Sequence, residues 1–302
     1  MTGSVRVLAA GHVNWDVTLR VDALPDPDGE ARIESQHAAG GGSAANVAAS
    51  LAGHDVDASI LGSVGDDENG LLVRRELAEA GVDTDRLRVV DDGETSVKYL
   101  VVAASGQVMV LGNDGANEAV APDGVDDETV AGIDHVHLTS QRPETATRLA
   151  DLAADANATV SFDPGRRLDS RDFSATIERA DVLFLNGREA ASVLGAEYAN
   201  APPTRGGLVV VKHGARGATV HTATGSYDHP GFEVDAVDTT GAGDAFAAGF
   251  LSVILTEDGI DADRVERALE YANACGALAA TSEGARTAPT QPEVEAFLDD
   301  RY

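Results

Sequence analysis

The sequence predicts an α/β protein in three layers: a central, mostly parallel sheet with helices on both faces, and a small β-sheet projecting from it as a lid. Short apolar runs alternate with helical spacing along most of the chain, the pattern of strand–helix–strand units that build a parallel sheet. Residues 12–37 and 94–112 interrupt that pattern, being extended and alternating with no helix between. At 302 residues and 43% hydrophobic content, the chain carries enough apolar material for a full core, so residues 1–302 are read as a single domain.

Strands are expected at 5–10, 58–61, 135–138, 159–162, 182–185 and 208–211. Two apolar stripes mark helices: Leu149, Leu152, Ala153 and Ala156, then Val265, Ala268, Leu269, Ala272, Cys275 and Ala279. In residues 12–37 every second residue is apolar (Val13, Trp15, Val17, Leu19), while His12, Asn14, Asp16 and Thr18 take the other face. Thr95 to Leu111 reads as a hairpin turning at Ser105-Gly106. These two regions are expected to form the lid. Ligands of open α/β sheets bind beyond the carboxyl ends of the strands. The residues expected there are Gly11-His12, Gly62-Ser63, Thr139-Ser140-Gln141, Asp163, Asn186 and Lys212.

Residues 238–250 carry the most chemistry. Asp238-Thr239-Thr240-Gly241-Ala242-Gly243-Asp244 is a polar, glycine-spaced turn running into a helix of small residues. Free N–H groups at a helix start attract anions, and the glycines admit a ligand close to the backbone. Asp244 would lie beside such an anion, where a carboxylate is unfavourable unless it takes a proton from an attacking hydroxyl. A plain strand-to-helix turn is the alternative. Gly40-Gly41-Gly42-Ser43-Ala44-Ala45-Asn46 opens a helix expected to end near Gly53, with Asn46 one turn in offering a donor and an acceptor. A flexible loop with Ser43 as N-cap reads equally well. Asn14 and Asp16 on one strand face make a clamp for vicinal hydroxyls, or solvated polar positions. Asn186-Gly187-Arg188-Glu189 fits a capping box, or a Glu189 that helps hold hydrated Mg²⁺ near a polyphosphate. Lys212-His213-Gly214-Ala215-Arg216-Gly217 reads as a hairpin turn, or as the edge of a nucleotide site with Lys212 near phosphate or base.

The chain carries 51 acidic against 22 basic residues, a net charge of −29, with Lys98 and Lys212 as its two lysines. The acid is spread along the sequence. Such self-repulsion destabilises a compact state in dilute buffer and is screened by concentrated salt, which points to the cytoplasm of a salt-accumulating organism. Nucleic acid and anionic membrane surfaces are excluded as partners by the same charge. No apolar run approaches the roughly 18 residues of a membrane span, and no signal peptide is expected before Val5. The single cysteine, Cys275, excludes an internal disulfide. It falls on an apolar stripe, as a buried, inert thiol would.

Together these segments resemble the ribokinase-like carbohydrate kinases of the PfkB family, in order and over essentially the whole chain. Residues 40–46 look like that family's first signature and 238–250 like its second. Val64-Gly65-Asp66-Asp67-Glu68-Asn69-Gly70, Asn186 with Glu189, and Lys212, Gly214 and Gly217 resemble its internal landmarks. The resemblance implies a three-layer fold with a β-sheet lid, and transfer of the γ-phosphoryl group of ATP to a hydroxyl of a sugar, a pentose or hexose. It implies Asp244 as base, and the amides of Gly241, Ala242 and Gly243 as the anion hole. Asn14, Asp16, Gly41, Gly42 and Asn46 would hold the sugar. Asn186, Lys212, Gly214, Gly217 and Asn273 would face the nucleotide, Asn273 flanking adenine. Glu189, with Asn186, would organise Mg²⁺ through water. Asp238 and Thr240 match positions that, in cation-activated members, build a monovalent-ion site (K⁺) with the 282–287 loop. A homodimer through the lid is kept as the candidate assembly.

The acceptor is more open. Asn14 and Asp16 resemble the ribose-binding pair of ribokinase itself. His135-Val136-His137-Leu138 and Ser161-Phe162-Asp163-Pro164-Gly165 look more like archaeal nucleoside kinases of the family. Sugar-phosphate members use additional basic residues, a part that Lys98, Arg142, Arg166 and Arg167 can play. Two other classes compete. A nicotinamide-dependent oxidoreductase needs a third glycine where Phe246 stands, and a fingerprint near the first strand. A non-catalytic sugar or nucleotide sensor would not need an intact Asp244.

Salt dependence follows from composition alone. The unfolding midpoint is expected to rise substantially between about 0.1 M and molar KCl, as the Debye length falls from about 10 Å to about 3 Å. A midpoint indifferent to salt in a melting series removes the halophilic reading.

Overall fold

The computed structural model describes residues 4–301 except Gly106, Ser140, 195–203, 257–258, Glu283, Ala285 and Thr287. Gly106 at the expected hairpin turn, Ser140 at an expected strand end and part of the 282–287 loop therefore lie outside the described residues. The elements in order are β1 (Arg6–Ala10), β2 (Asn14–Val21), β3 (Ile33–Gly41), α1 (Ser43–Ala52), β4 (Asp57–Gly65), α2 (Glu68–Glu79), β5 (Leu87–Val90), β6 (Ser96–Ala103), β7 (Val108–Gly112), β8 (His135–Thr139), α3 (Pro143–Asp155), β9 (Thr159–Asp163), α4 (Ser174–Arg179), β10 (Val182–Asn186), α5 (Gly187–Leu194), β11 (Leu208–Lys212), β12 (Ala218–His221), β13 (Ser226–His229), α6 (Ala242–Ile254), α7 (Ala262–Ala279) and α8 (Gln291–Asp299).

Alternate residues of the same strands feed two cores, which is why the sheet needs helices on both faces. Leu8, Ala10, Leu183, Leu185, Val209 and Val211 pack with Leu149, Leu152, Ile177 and Ala190 of α3, α4 and α5. Val7, Val182, Phe184, Leu208 and Val210 face the other way, against Val47, Leu51, Phe246, Phe250, Val265 and Leu269 of α1, α6 and α7. The sheet runs in the order β13-β12-β11-β10-β9-β8-β1-β4-β5. It is parallel from β5 to β11, and an antiparallel hairpin of β12 and β13 closes one edge.

All six strands expected from the sequence form. One boundary differs by more than a residue: β4 runs on to Gly65, so Gly62 and Ser63 pair with β5 inside the sheet rather than ending a strand. Ser63 accordingly spends its hydroxyl on the Ala116 carbonyl, 2.6 Å away. β5 (Leu87-Arg88-Val89-Val90) and β13 (Ser226-Tyr227-Asp228-His229) were not foreseen, because polar residues keep either from reading as an apolar run. Cys275 is fully buried, and burial pushes its thiol far above the usual range. The expected inert thiol fits that setting.

A separate sheet, β3-β2-β6-β7, is built from the two regions that broke the βα pattern. Its register sets Asp16 between Ala39 and Lys98, so Asn14, Asp16 and Lys98 share one face. Trp15, on the opposite face, packs on a core cluster that includes Val13, Ala44, Val73 and Leu77. The sheet is fastened at its base. Asp67 caps α2 by accepting from Gly70 N, and also accepts from the backbone and hydroxyl of Thr95, at 2.6–2.9 Å. Asn117 accepts from Val13 N at 3.1 Å.

His135 and His137 belong to the sheet interior. His135 bridges Thr159 and Ser161, and His137 bonds Ser161, each at 2.7 Å. Both side chains are fully buried, and burial pushes their pKa values down to about 3 and about 4. These residues, with Ser161, pack the sheet interior.

Candidate active site

The loop before α6 ends at Gly241, whose φ of 78° turns the chain into the helix in a left-handed conformation that glycine accepts without strain. The three amides expected to form an anion hole are not equivalent. Ala242 N donates to Thr239 O at 3.3 Å, whereas Gly241 N and Gly243 N have no partner among the described residues. Asp244 stands in the first helical turn with its carboxyl partly covered, and accepts from Asn46 Nδ2 at 2.8 Å. Burial raises its pKa to about 6, reinforced by nearby Asp163 and opposed by the Asn46 hydrogen bond, Lys212 and Lys98.

The glycine triplet before α1 has a steric reason at each position. A Cβ at Gly40 would fall 2.2 Å from Arg286 Nη1, one at Gly41 2.1 Å from Asp16 Oδ2, and one at Gly42 2.4 Å from the His12 carbonyl. Gly42, at φ 93°, is the N-cap of α1, and no side chain caps it. Ser43 as N-cap is therefore not what forms. The packing brings Asp16, Gly41, Asn46 and Asp244 to one wall. Buried Asp16 Oδ1 and Asn46 Oδ1 have no hydrogen-bond partner there, and such groups are ordinarily satisfied. They fit a polyhydroxyl ligand. Lys98 Nζ lies 2.8 Å from the Asn14 amide once its oxygen is turned to face the ammonium, which has only donors to offer. Burial raises the Asp16 pKa, and Lys98 and Arg286 oppose the rise.

On the other side, Lys212 Nζ donates to Asp163 Oδ2 at 2.6 Å and lies 3.5 Å from where a Cβ on Gly243 would sit. Burial would push the ammonium toward neutrality, but Asp163, Asp244 and Glu189 more than offset it and raise its pKa. It is a fixed cation beneath the loop. Asn186 and Glu189 do form the capping box. Asn186 Oδ1 accepts from Glu189 N at 3.0 Å, and Glu189 Oε2 accepts from Asn186 N at 2.8 Å. Glu189 Oε1 is left without a partner among the described residues, beside Asp163. That donor set suits a hydrated divalent cation held through water.

Three expected site residues have structural duties as well. Gly217 lets the hairpin close, because a Cβ there would fall 1.9 Å from the His229 carbonyl. Gly214, at φ 64°, meets nothing within 4 Å. Asn273 donates to its own helix at Leu269 O, 2.7 Å away, leaving its oxygen for other partners. Asp238 accepts from Thr240 N at 2.9 Å and Gly284 N at 3.2 Å, so protein groups already brace the turn. Among the described residues no three His, Cys, Asp or Glu side chains cluster as metal ligands. A concavity of about 710 Å³, lined by Arg6, Asp57, Asp83, Arg86 and Ile133 among others, lies at the opposite end of the sheet and contains none of these residues.

Sequence reasoning missed the role of Arg286 and Glu118. Arg286 Nη1 donates to Glu76 Oε2 at 3.1 Å, and its Nε and Nη2 are buried without partners. Burial lowers its pKa to about 10, so it stays charged near neutrality. Its presence in the glycine-containing loop after α7 was the available signal. Glu118 binds His12 Nε2 at 3.0 Å and Arg171 Nη1 at 2.7 Å. Burial opposes its ionisation, but these partners outweigh burial and hold the carboxyl at about 2. Nothing in the local sequence marks it.

The pfkB family carbohydrate kinase profile matches residues 5–292. An ATP-dependent ribose-1-phosphate kinase from Halopiger xanaduensis is 62% identical over 299 residues, 99% of each chain. Among solved structures, a ribokinase from Thermotoga maritima superposes with a TM-score of 0.83 at 25% identity, over 98% of this chain and 100% of that one. A ribokinase from Arabidopsis thaliana, complexed with ribose and ATP, gives 0.85 at 23% identity over 98% and 99%.

The raised pKa of Asp244 has a stability consequence with a definite sign. A carboxyl whose folded pKa, about 6, exceeds its unfolded value contributes most below the unfolded value, and that contribution is lost as pH rises through the folded one. Asp244→Asn is therefore expected to raise the melting temperature by a few degrees at pH 8, with the gain shrinking toward pH 4. A gain independent of pH, or a loss at pH 8, contradicts the strained carboxylate.

Proposed function

The chain belongs to the pfkB family of carbohydrate kinases, and on that premise we propose that the acceptor of this ATP-dependent phosphotransferase is ribose 1-phosphate, giving a pentose bisphosphate. The likeness to the Halopiger kinase over nearly the full length of both chains is the observation that carries the reading. The basic side chains at the acceptor end support it, since a free sugar or a nucleoside gives them nothing to neutralise.

In this reading Asp16, Gly41, Gly42, Asn14 and Asn46 hold the pentose so that one hydroxyl faces Asp244. The hydroxyl oxygen attacks the γ-phosphorus of ATP, the bond from that phosphorus to the bridging oxygen breaks, and ADP leaves. Asp244 accepts the hydroxyl proton and returns it to solvent. A carboxyl with a pKa of about 6 is ionised at neutral pH yet basic enough to take the proton. Gly241 N and Gly243 N donate to the moving phosphoryl oxygens, and Lys212 supplies fixed positive charge beneath them. Asn186, Gly214, Gly217 and Asn273 border the nucleotide. Glu189 and Asp163 would hold hydrated Mg²⁺, whose chemistry when bound is to neutralise phosphate charge. K⁺ near Asp238 and Thr240 would further brace the loop.

A cytoplasmic setting and a homodimer through the lid complete the proposal. The lid edge strand β7 exposes Val108, Val110 and Leu111, apolar surface that a second copy can cover. Among the described residues no helix is long and apolar enough to cross a membrane.

A panel of ribose, ribose 1-phosphate, ribose 5-phosphate, fructose and nucleosides, assayed with ATP and Mg²⁺ in molar KCl, tests the acceptor. Ribose 1-phosphate is expected to give the highest kcat/KM. Asp244→Asn is expected to lower turnover by roughly 10²–10⁴ while leaving ATP affinity unchanged. Preference for an unphosphorylated acceptor overturns the substrate, and near wild-type turnover in the variant overturns the base.

A further inference from the structure

The geometry points to a dedicated site for the phosphate that the acceptor already carries, formed by Arg142 and Arg166 with the side-chain amide of Gln141, beyond the carboxyl ends of β8 and β9. This rests on the ribose 1-phosphate reading and assigns residues to it.

The first observation is an unmet donor. Gln141 is 7% exposed, and its Nε2 has no hydrogen-bond partner. A buried amide N–H₂ left unpaired costs its desolvation, and such groups ordinarily find an acceptor. The second is a division of labour among neighbouring arginines. Arg171 is spent on structure, donating to Glu118 at 2.7 and 3.2 Å and to the Gln141 carbonyl at 2.9 Å. Arg167 reaches Asp114 at 3.0 Å. Arg142 is different: its guanidinium is half exposed and approaches Glu118 only to 3.6 Å, beyond hydrogen-bond range. Arg166 is exposed and has no hydrogen bond or ion pair among the described residues. Two guanidiniums thus keep donors free in the segments that follow the adjacent strands β8 and β9, and the unmet amide follows β8 as well.

The anchoring carboxylate explains how the group is fixed. Glu118 takes up φ 63°, a backbone conformation uncommon for a residue with a side chain. That turn places its carboxylate against His12, Arg171 and Arg142 together. Arg142 and Arg171 meet Glu118 and Arg167 meets Asp114, so three guanidiniums face two carboxylates and the patch is net positive before Arg166 is added. In a chain of net charge −29, the overall charge offers a dianionic substrate no attraction. In molar salt the Debye length is only about 3 Å, so long-range attraction cannot recruit it and direct donors are required. Guanidinium and amide donors meet phosphate oxygens in that way.

The position also fits. Along the strand ends the order is Lys212 on β11, Asn186 on β10, Asp163 on β9, then Gln141 after β8 and His12 after β1. Lys212 and the start of α6 serve one phosphoryl group, and the arginine site lies on the other side of Asp163. An acceptor between them can present a hydroxyl to Asp244 and its existing phosphate to Arg142 and Arg166.

The test is binding of ribose 1-phosphate and of ribose by calorimetry in molar KCl, with steady-state kinetics, for wild type, Arg142→Gln, Arg166→Gln, the double variant and Gln141→Met. Arg148→Gln, an exposed change of equal charge on α3, is the control. Loss of each charged contact is expected to weaken ribose 1-phosphate roughly 10-fold, and the double variant roughly 100-fold. Gln141→Met should weaken it less than either arginine change. KM for ATP, affinity for ribose and the control should stay at wild type. If wild type uses ribose 1-phosphate but the arginine variants bind it normally, this site is overturned and the proposed substrate stands. Equal loss for ribose and ribose 1-phosphate also overturns the site, because the phosphate would not be what is sensed. If wild type ignores ribose 1-phosphate and takes another acceptor, the substrate reading fails, and this inference with it.

Discussion

The hydrogen bond from Asn46 Nδ2 to Asp244 Oδ2, 2.8 Å long, joins residues 198 apart in sequence, and the rest of the site depends on it. Both residues sit in the first turns of helices, α1 and α6, that pack on the same face of the sheet. Ala44, Ala45 and Ala48 on one and Ala245, Ala247 and Ala248 on the other are all buried. Their small side chains let the two helix starts approach. Both helices are entered through glycines of positive φ, Gly42 and Gly241, which turn the chain sharply into the cleft. The bond favours the ionised carboxyl where burial disfavours it, so Asp244 is held between two states.

Charge placement follows from the same crowding. Lys212, one of two lysines in the chain, is pinned by Asp163 and surrounded by Asp244 and Glu189, all gathered at the ends of parallel strands or in the helix starts beyond them. Lys98, the other, reaches in from the lid and faces Asn14 and Asp16. Fixed ammonium groups therefore stand on both sides of the carboxylate. An acidic protein needs such local exceptions to admit polyanions, and the arginines around Glu118 extend the positive charge outward.

Much of the fold was legible because it rests on period and burial. The six parallel-sheet strands declared themselves as short apolar runs, and the lid by alternation in Val13, Trp15, Val17 and Leu19. Asp16 and Asn14 could be placed on one face by parity alone. β5 and β13 could not, because Arg88 in one and Ser226, Asp228 and His229 in the other break the apolar run. The run through Gly62 and Ser63 looked like a loop, since composition does not reveal that β5 pairs there. Asp244 and the glycines before α6 stand out in the sequence because they form a local pattern. Glu118 and Arg286 do not, because their roles arise from contacts between distant segments; Gln141 could be placed at a strand end, but not its unmet donor. Asn186 and Glu189 were ambiguous for a physical reason: one carboxylate oxygen closes the capping box while the other remains free.

The central claim is that Asp244 is a carboxylate held near its titration point by burial on one side and Asn46 on the other. The direct measurement is the pH dependence of kcat/KM for phosphoryl transfer, in wild type and in Asn46→Ala. For wild type an acidic limb with its inflection near 6 is expected, as set by the raised pKa of Asp244 in the free enzyme. Removing the Asn46 donor takes away an interaction that favours the charged form, so the inflection is expected to move to higher pH. A profile flat from pH 5 to 8, or an inflection unmoved by Asn46→Ala, would contradict the account.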